Sequence, residues 1–290
     1  MTQNDMHTRA MLVSLRISAC SFRKYDRKVS QETATAHNTT LDAGRYNKHL
    51  LPGDAPAFKA LMSHLANLRV MHYAQTLPWS DDGWRMLPVK NYAQYTDMVR
   101  KGFHSADSLL ADFIADYPSY QASARTILNG MYSDADYPND IASKYAWGVE
   151  YNPVPMGTDF RVSIASDEMA VIAARTEERV KQAFSDAQAD AVRRLAECVS
   201  KIHERLAQPD AIFRDSLIGN ARELCDVLTR LNLADDQNLE KLRRETELLA
   251  MAEPSTLRDN PDIRIETANR AQSILDAMTS TYGPSVFSQA

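Results

Sequence analysis

The sequence predicts a mainly α-helical protein with a small antiparallel β-sheet (α+β), elongated along a long helical hairpin. The first observation is a run of 43 residues, Ser166 to Gln208, that contains no glycine and no proline. A helix of that length would be about 65 Å long, which exceeds the diameter of a small domain. The second observation is a set of further segments with apolar residues three or four apart. The third is period-two alternation at residues 11–22, 145–154 and 159–164, which is typical of strands.

The long helix carries a regular apolar stripe. Ser166 is a suitable N-cap, because its hydroxyl can accept a hydrogen bond from an N–H of the first turn. Apolar residues then recur every eleven positions, which gives a nearly straight stripe with slight right-handed drift. We expect the helix predicted at residues 91–117 to cover it, and the alternative is a surface for self-assembly or a partner. The rows are Met169, Val180, Ala191 and Ile202; Ala173, Phe184, Leu195 and Leu206; and, more weakly, Thr176, Ala187 and Cys198.

The other elements follow from the same periodicity. The predicted strand at residues 11–22 comes after a polar segment that we expect to be flexible. Pro118 is expected to bend or break the helical pattern around it. Residues 255–263, which follow Pro254 and contain Pro261, are predicted to form a linker. Besides the long helix, helices are predicted at residues 29–41, 55–77, 91–117, 119–131, 212–233, 235–251 and 264–282.

A basic run follows the first predicted strand. Lysine and arginine can contact a phosphate backbone, and an aromatic ring among them can stack on a base. The same run is also typical of a solvated turn after a strand. The candidate nucleic-acid contacts are Arg23, Lys24, Tyr25, Arg27, Lys28 and Arg45.

The segment from Thr76 to Pro88 concentrates special residues. Two prolines flank two tryptophans, and an Asp-Gly step between the tryptophans favours a tight turn. A stiff loop loses little entropy on binding, which suits recognition. The alternative is a structural loop that folds its tryptophans onto the core. The candidate partner-binding residues are Trp79, Asp82, Trp84 and Arg85.

Composition narrows the function classes. The chain has 33 basic and 38 acidic residues and a net charge of −5, which gives no support for a protein coated in basic charge for duplex DNA. The three cysteines, Cys20, Cys198 and Cys225, are typical of small buried thiols in a reducing cytosol. We see no signal-peptide pattern and no apolar run near 18 residues, so we expect a cytoplasmic protein without a membrane partner.

Candidate metal and catalytic patterns are weak. His64 and His72 lie eight residues apart without a carboxylate or cysteine at ligand spacing between them. Asp134, Asp136 and Asp140 do not fit a calcium-loop pattern, and an acidic, capped helix start is the preferred interpretation. The common nucleophile, phosphate-loop and zinc-protease motifs are missing from the sequence. We therefore predict no metal, no cofactor and no enzymatic activity.

Several stretches resemble a known group of proteins. They are Asp42–Lys48, Thr76–Trp79 with Asp82 and Gly83, Asp136–Pro138, Asp159–Val162 and Phe213–Asn220. Together they resemble a family of phage, prophage and mobile-element proteins known only as a domain of unknown function, over residues 11 to about 240. The resemblance implies a phage-type origin, a location in the bacterial host cytoplasm, and genes for MoxR-type AAA+ ATPases and recombination proteins nearby.

These observations define the expected organisation and function. We divide the chain into residues 1–10, a flexible N-terminus; 11–165, a helical domain with the sheet and the tryptophan loop; 166–252, the long-helix region; and 253–290, a linker, terminal helix and tail. The leading hypothesis is a non-enzymatic assembly or adaptor protein. It would form a homo-oligomer or bind a partner such as a MoxR-type AAA+ ATPase. The alternative is single-stranded nucleic-acid binding in phage recombination or counter-defence.

Overall fold

The computed structural model describes residues 3–80, 82–159, 166–208 and 210–284. Within them the protein is mainly helical with a small antiparallel sheet, so the predicted fold class is confirmed. The helices are α1 (Gln3–Arg9), α2 (Arg27–Ala36), α3 (Pro56–Ala74), α4 (Tyr92–Leu128), α5 (Ser166–Leu206), α6 (Ser216–Leu231), α7 (Gln237–Leu249), α8 (Pro254–Asp259) and α9 (Pro261–Tyr282). The strands are β1 (Ala10–Ser18), β2 (Arg23–Tyr25), β3 (Asn47–His49), β4 (Leu77–Pro78), β5 (Arg85–Pro88) and β6 (Ala146–Pro153).

The larger sheet has the strand order β4-β5-β1-β6. The strands predicted at residues 11–22 and 145–154 are confirmed as β1 and β6. The strand predicted at residues 159–164 lies, except for Asp159, outside the described residues. Two strands that we did not predict, β4 and β5, join the sheet instead, with Leu77 opposite Met86 and Ala10 opposite Pro88.

Several predicted irregular segments are helical. The N-terminal segment, expected to be flexible, contains α1, and Met6 on it is buried. Pro118 does not break α4, because the aromatic side chains on either side of it, Tyr117 and Tyr120, are buried and hold the helix in place. The linker predicted at residues 255–263 is wrong, because α8 and the start of α9 occupy it. Each of these helices begins at a proline, and a proline is tolerated there because the N–H that it lacks would have no partner within the helix.

Contacts divide the chain into two compact units that each combine distant segments. The first unit comprises Met1–Ser14, His72–Tyr95 and Glu150–Ala290, and the second comprises Leu15–Met71 and Thr96–Val149. This division differs from the sequential domains expected from the sequence, because β1, α3, α4 and β6 each contain a boundary between the units.

The core of the first unit is built on α5. Between Thr176 and Leu206 every residue of the predicted rows is buried except Cys198, which is half-buried, so most positions of the eleven-residue rows are confirmed. The predicted covering helix at residues 91–117 is wrong, because α9 and α6 cover the stripe. Apolar periodicity identifies the face of a helix that is buried but does not identify the element that covers it.

Arg264 on α9 fixes the end of α5. Its guanidinium donates hydrogen bonds to the carbonyls of Arg205 and Leu206, at 2.9 and 3.2 Å, and to that of Ala211, at 2.8 Å. The last carbonyls of a helix have no partner within the helix, so this buried side chain satisfies some of them. The ring of Phe213 lies against the same guanidinium, 5.5 Å from centroid to Cζ.

The core of the second unit is aromatic. Phe22 lies within 5.6–5.7 Å, between ring centroids, of Phe58, Phe113 and Tyr117. Such edge-to-face and tilted pairs stabilise a core beyond the area that they bury. Phe22 has a positive φ of 50°, so the chain turns sharply between β1 and β2 at the residue that anchors this core.

Two further findings limit the classes of site. In the part of the chain that the structure describes, no group of three or more His, Cys, Asp or Glu side chains is placed to hold a metal ion. Over the same residues, no helix is both long enough and apolar enough to span a membrane.

Candidate functional site

The predicted tryptophan loop is a β-hairpin, which we call the Trp hairpin (Leu77–Pro88). Its two strands, β4 and β5, pair antiparallel, and residue 81 in the turn is not described. Gly83 has φ 88°, a conformation that glycine adopts at little cost. The carboxylate of Asp82 accepts hydrogen bonds from the Ser80 hydroxyl and from the Trp84 amide, and these bonds lower the pKa of Asp82. Asp82 therefore organises the turn.

The Trp hairpin has a buried base and a partly exposed tip. Leu77, Met86 and Leu87 are fully buried. Trp79 and Trp84 are half-buried and pack against the core of the first unit. Each of these tryptophans therefore contacts the core and keeps some surface exposed.

Arg85 is engaged inside the protein. Its Nε donates to the Thr76 hydroxyl at 2.7 Å, its Nη2 donates to the Thr76 carbonyl at 3.2 Å, and its guanidinium lies 4.4 Å from the ring centroid of Tyr73. Burial, followed by the nearby charge of Arg194, lowers the pKa of Arg85. Arg194 on α5 donates to the same Thr76 carbonyl at 2.8 Å. Arg85, one of the four predicted partner-binding residues, therefore stabilises the hairpin through its contacts with Thr76 and Tyr73.

A buried polar pair lies beneath the hairpin. His72 Nδ1 and the Tyr95 hydroxyl are hydrogen bonded at 2.8 Å, and the hydroxyl of Thr76 donates to the His72 carbonyl at 2.6 Å. Burial, followed by the charge of Arg85, lowers the pKa of His72 to about 4. His72 is thus a neutral core residue at neutral pH. Its place in the apolar stripe of the predicted helix at residues 55–77 was the signal for that role.

A cavity of about 420 Å³ opens beside the Trp hairpin. Tyr73, Pro78 and Trp79 contribute apolar surface to it, and Arg85 and Asp186 contribute opposite charges. Asp186 lies on α5 and accepts a hydrogen bond from Gln182. A partner side chain that entered this cavity would meet an aromatic wall together with polar groups.

The predicted nucleic-acid residues come together on the second unit, and we call this set the basic face (Arg23, Lys24, Tyr25, Arg27, Lys28 and Arg45). β2 pairs with β3, the Asp26 amide bonds the Tyr46 carbonyl, and α2 begins at Arg27, so residues distant in sequence become neighbours. Every member is exposed. The guanidinium of Arg45 lies 5.9 Å from the ring centroid of Tyr25.

Asp136 forms the buried anchor of the two-stranded sheet. Its carboxylate forms an ion pair with Lys48 on β3, at 2.7 Å, and another with Lys24 on β2. Burial alone would raise the pKa of Asp136, but hydrogen bonds from Lys24 and Lys48 outweigh it and lower that pKa. Lys48 also donates to the Met131 carbonyl at 2.7 Å. Of the three carboxylates predicted to cap a helix start, Asp140 accepts a hydrogen bond from the Ser143 amide at 3.2 Å.

A second cavity, which we call the α2 cavity, adjoins the basic face and has a volume of about 330 Å³. One wall is α2, including Ala34 and His37, and the other is the segment that contains Ala43, Arg45 and Tyr46. Its lining is mainly apolar. Sequence reasoning did not identify this cavity, because its walls lie on either side of a turn whose geometry the sequence pattern does not reveal.

No protein-family model, curated protein or solved structure matches the chain. The resemblance to a phage and mobile-element family therefore stays a prediction. The candidate sites rest on the geometry of their residues.

Proposed function

We propose that the protein is a non-enzymatic adaptor that binds another protein through the tip of the Trp hairpin. The observation that carries this proposal is the pair of half-buried tryptophans, Trp79 and Trp84, on a hairpin with a fully buried base. Tryptophan is strongly enriched among the few residues that dominate the binding energy of protein interfaces. The cavity beside Trp79 offers a place for a partner side chain.

The hairpin is held in one shape before binding. Arg85 and Arg194 both donate to Thr76, and the buried strand residues fix the base. A surface that is ordered in advance loses less conformational entropy on association, so more of the contact energy appears as affinity. These contacts support a binding surface.

The partner that we propose is a MoxR-type AAA+ ATPase or a second copy of this chain. The ATPase follows from the sequence resemblance. Self-association would use the exposed surface of Trp79 and Trp84, because α9 and α6 of the same chain cover the apolar stripe of α5. Size-exclusion chromatography with light scattering, on the protein alone and mixed with a MoxR-type AAA+ ATPase, distinguishes the two. A monomer that binds no ATPase would overturn the proposal.

Substitutions test whether the hairpin tip carries the contact. Trp79→Ala and Trp84→Ala should each weaken binding about 30-fold, because truncating a central interface tryptophan costs about 2 kcal/mol or more. Leu248→Ala is the control, since Leu248 is 64% exposed on α7. Circular dichroism verifies that each variant is folded. If the two tryptophan variants bind as tightly as the control, the hairpin tip is not the contact surface.

We propose single-stranded nucleic-acid binding at the basic face as a second function. The specific observation is Arg45 over the exposed ring of Tyr25, beside the exposed guanidiniums of Arg23 and Arg27. Within the described residues, no ion pair joins these three arginines to a carboxylate. Between positions 23 and 49 the sequence has six basic and three acidic residues, although the whole chain has a net charge of −5.

Fluorescence anisotropy with a labelled 15-nucleotide DNA strand tests this second function. Binding should be measurable at low salt and fall steeply as salt rises, because bound arginines release counterions. Arg23→Glu combined with Arg45→Glu should abolish it. Arg270→Glu is a control for a single charge reversal on the first unit, at a site whose only described ion pair is with Glu266, and each single variant, Arg23→Glu and Arg45→Glu, is compared with it. Equal binding by both variants would refute the assignment.

A further inference from the structure

We propose that the α2 cavity is a subsite for one unpaired nucleobase of a strand bound at the basic face. This inference rests on the second proposed function and adds the part of the ligand that the cavity takes. Arg45 connects the two regions, because it lines the cavity and its guanidinium also lies over Tyr25. A base in the cavity would therefore lie next to a side chain that can contact its phosphate.

The cavity has fixed walls. The Tyr46 amide donates to the Ser30 hydroxyl at 3.0 Å, which ties the second wall to the middle of α2. The Thr39 amide donates to the Ala34 carbonyl at 2.9 Å, which ties the same segment to the end of α2. Ser30 and Ala34 are buried. The space between the walls is thus held open by hydrogen bonds of the protein itself.

The size and lining of the cavity select a flat apolar group. Small-ligand sites have volumes of about 300–1,000 Å³, and the α2 cavity, at about 330 Å³, is at the lower end of that range. Ala34, Ala43 and the ring of Tyr46 give it apolar surface. A base has an apolar face for such contacts, and the aromatic ring is a stacking partner. A base inside a duplex is stacked between its neighbours, so only an unpaired or extruded base could enter.

The electrostatics favour the base of the ligand in the α2 cavity and its phosphates at the basic face. The cavity lies at the C-terminal end of α2, where His37 caps the helix. The C-terminal end of a helix carries partial negative charge, which disfavours a phosphate and favours the amino or imino donors of a base. Phosphates are favoured outside the cavity, at Arg23, Arg27 and Arg45. The base should therefore enter the cavity and the backbone should follow the arginines.

A matched pair of substitutions tests the subsite. Ala43 lines the cavity and is exposed, so Ala43→Leu fills the space without disturbing the core. Ala36→Leu is the control, because Ala36 is exposed on α2 and outside the cavity lining. Anisotropy with the labelled 15-nucleotide strand should show about tenfold weaker binding for Ala43→Leu, as expected when one base loses its contacts. Ala36→Leu should bind like the unchanged protein.

A second ligand tests the subsite on the unchanged protein, so that a folding defect of a variant cannot explain the result. The unchanged protein is titrated with the same strand in which every base is replaced by an abasic tetrahydrofuran unit. Loss of affinity with this strand, together with insensitivity of its residual binding to Ala43→Leu, supports the subsite. If the normal strand binds in a salt-dependent way but neither base removal nor Ala43→Leu weakens it, the subsite is refuted and nucleic-acid binding stands. If the normal strand does not bind at low salt, both are refuted.

Discussion

The buried ion pair between Lys48 and Asp136 should be a main support of the second unit. Their side chains are only 8% and 5% exposed, and the nitrogen and oxygen lie 2.7 Å apart. Removing one partner of a buried pair costs about 3–5 kcal/mol, because the other charge is left unpaired. Lys24 still contacts Asp136, so we expect Lys48→Met to lower the free energy of unfolding by about 3 kcal/mol, the low end of that range.

The chain provides a matched control in the same unit. Lys28 and Glu32 form a pair at 4.0 Å with side chains 86% and 63% exposed. An exposed pair of this kind contributes about 0–0.5 kcal/mol, so Lys28→Met should change stability little. The combined change Lys48→Met and Asp136→Leu should recover most of the loss, because apolar replacements of a buried pair are often neutral.

Urea unfolding followed by tryptophan fluorescence measures these differences. The chain has three tryptophans, and Trp147 is the one in the second unit. In a background with Trp79→Phe and Trp84→Phe, the emission therefore reports on the unit that contains the ion pair. Equal midpoints for Lys48→Met and Lys28→Met would refute the argument that burial makes the difference.

The pair also predicts a pH dependence. The pKa of Asp136 is lowered in the folded protein by Lys24 and Lys48 against the effect of burial. A lowered pKa means that the unfolded chain binds the proton first, so the contribution of Asp136 is fully present above its unfolded pKa of about 3.9. That contribution is lost as the pH falls below that value, through the folded pKa. In Lys48→Met the folded pKa should rise towards the unfolded value, so the loss on acidification should be smaller and should be complete at a higher pH.

Other substitutions test the packing directly. Gly219→Ala on α6 should stabilise by about 0.5–1 kcal/mol, because its added Cβ meets open space, whereas Gly102→Ala should not, since its Cβ would lie 2.3 Å from Leu68 Cδ2. Urea unfolding would contradict this if both variants were equally stabilised. Because the pKa of His72 is lowered to about 4, stability should fall by up to about 3 kcal/mol as the pH falls from about 6.5 to 4, and His72→Asn should flatten that decline in a pH series of unfolding curves. Burial raises the pKa of Cys225 to about 12, so a thiol reagent at pH 8 should modify it at least tenfold more slowly in the native protein than in urea, and equal rates would show that it is accessible.

The long helix shows what local sequence could predict. The eleven-residue rows identified its buried face from Val180 to Leu206 because that information lies in the helix itself. The covering helix was not predictable in the same way, since many helices of this chain have an apolar stripe. The strand β4 has only two residues, which is too short for a period-two signal, so the Trp hairpin was predicted as a loop.

For the candidate sites, too, the sequence could predict certain residues but not the contacts that support them. Composition alone singled out Trp79 and Trp84, and the run from Arg23 to Lys28, because these residue types are concentrated there. Their supports were not predictable, since Arg194 reaches Thr76 across 118 positions of the chain and Lys48 reaches Met131 across 83. Such contacts depend on the tertiary fold, and no local pattern indicates them.

Each candidate surface depends on buried polar contacts within its own unit. The Trp hairpin relies on Arg85 at Thr76, and the basic face relies on Lys48 at Asp136. Disrupting the contact under one surface should therefore weaken binding at that surface and leave binding at the other surface unchanged. Lys48→Met should weaken binding of the DNA strand although Lys48 itself is buried, and it should leave binding of a protein partner to the Trp hairpin unchanged. If it reduced both activities equally, with the first unit still folded, the argument that each surface has its own support would be refuted.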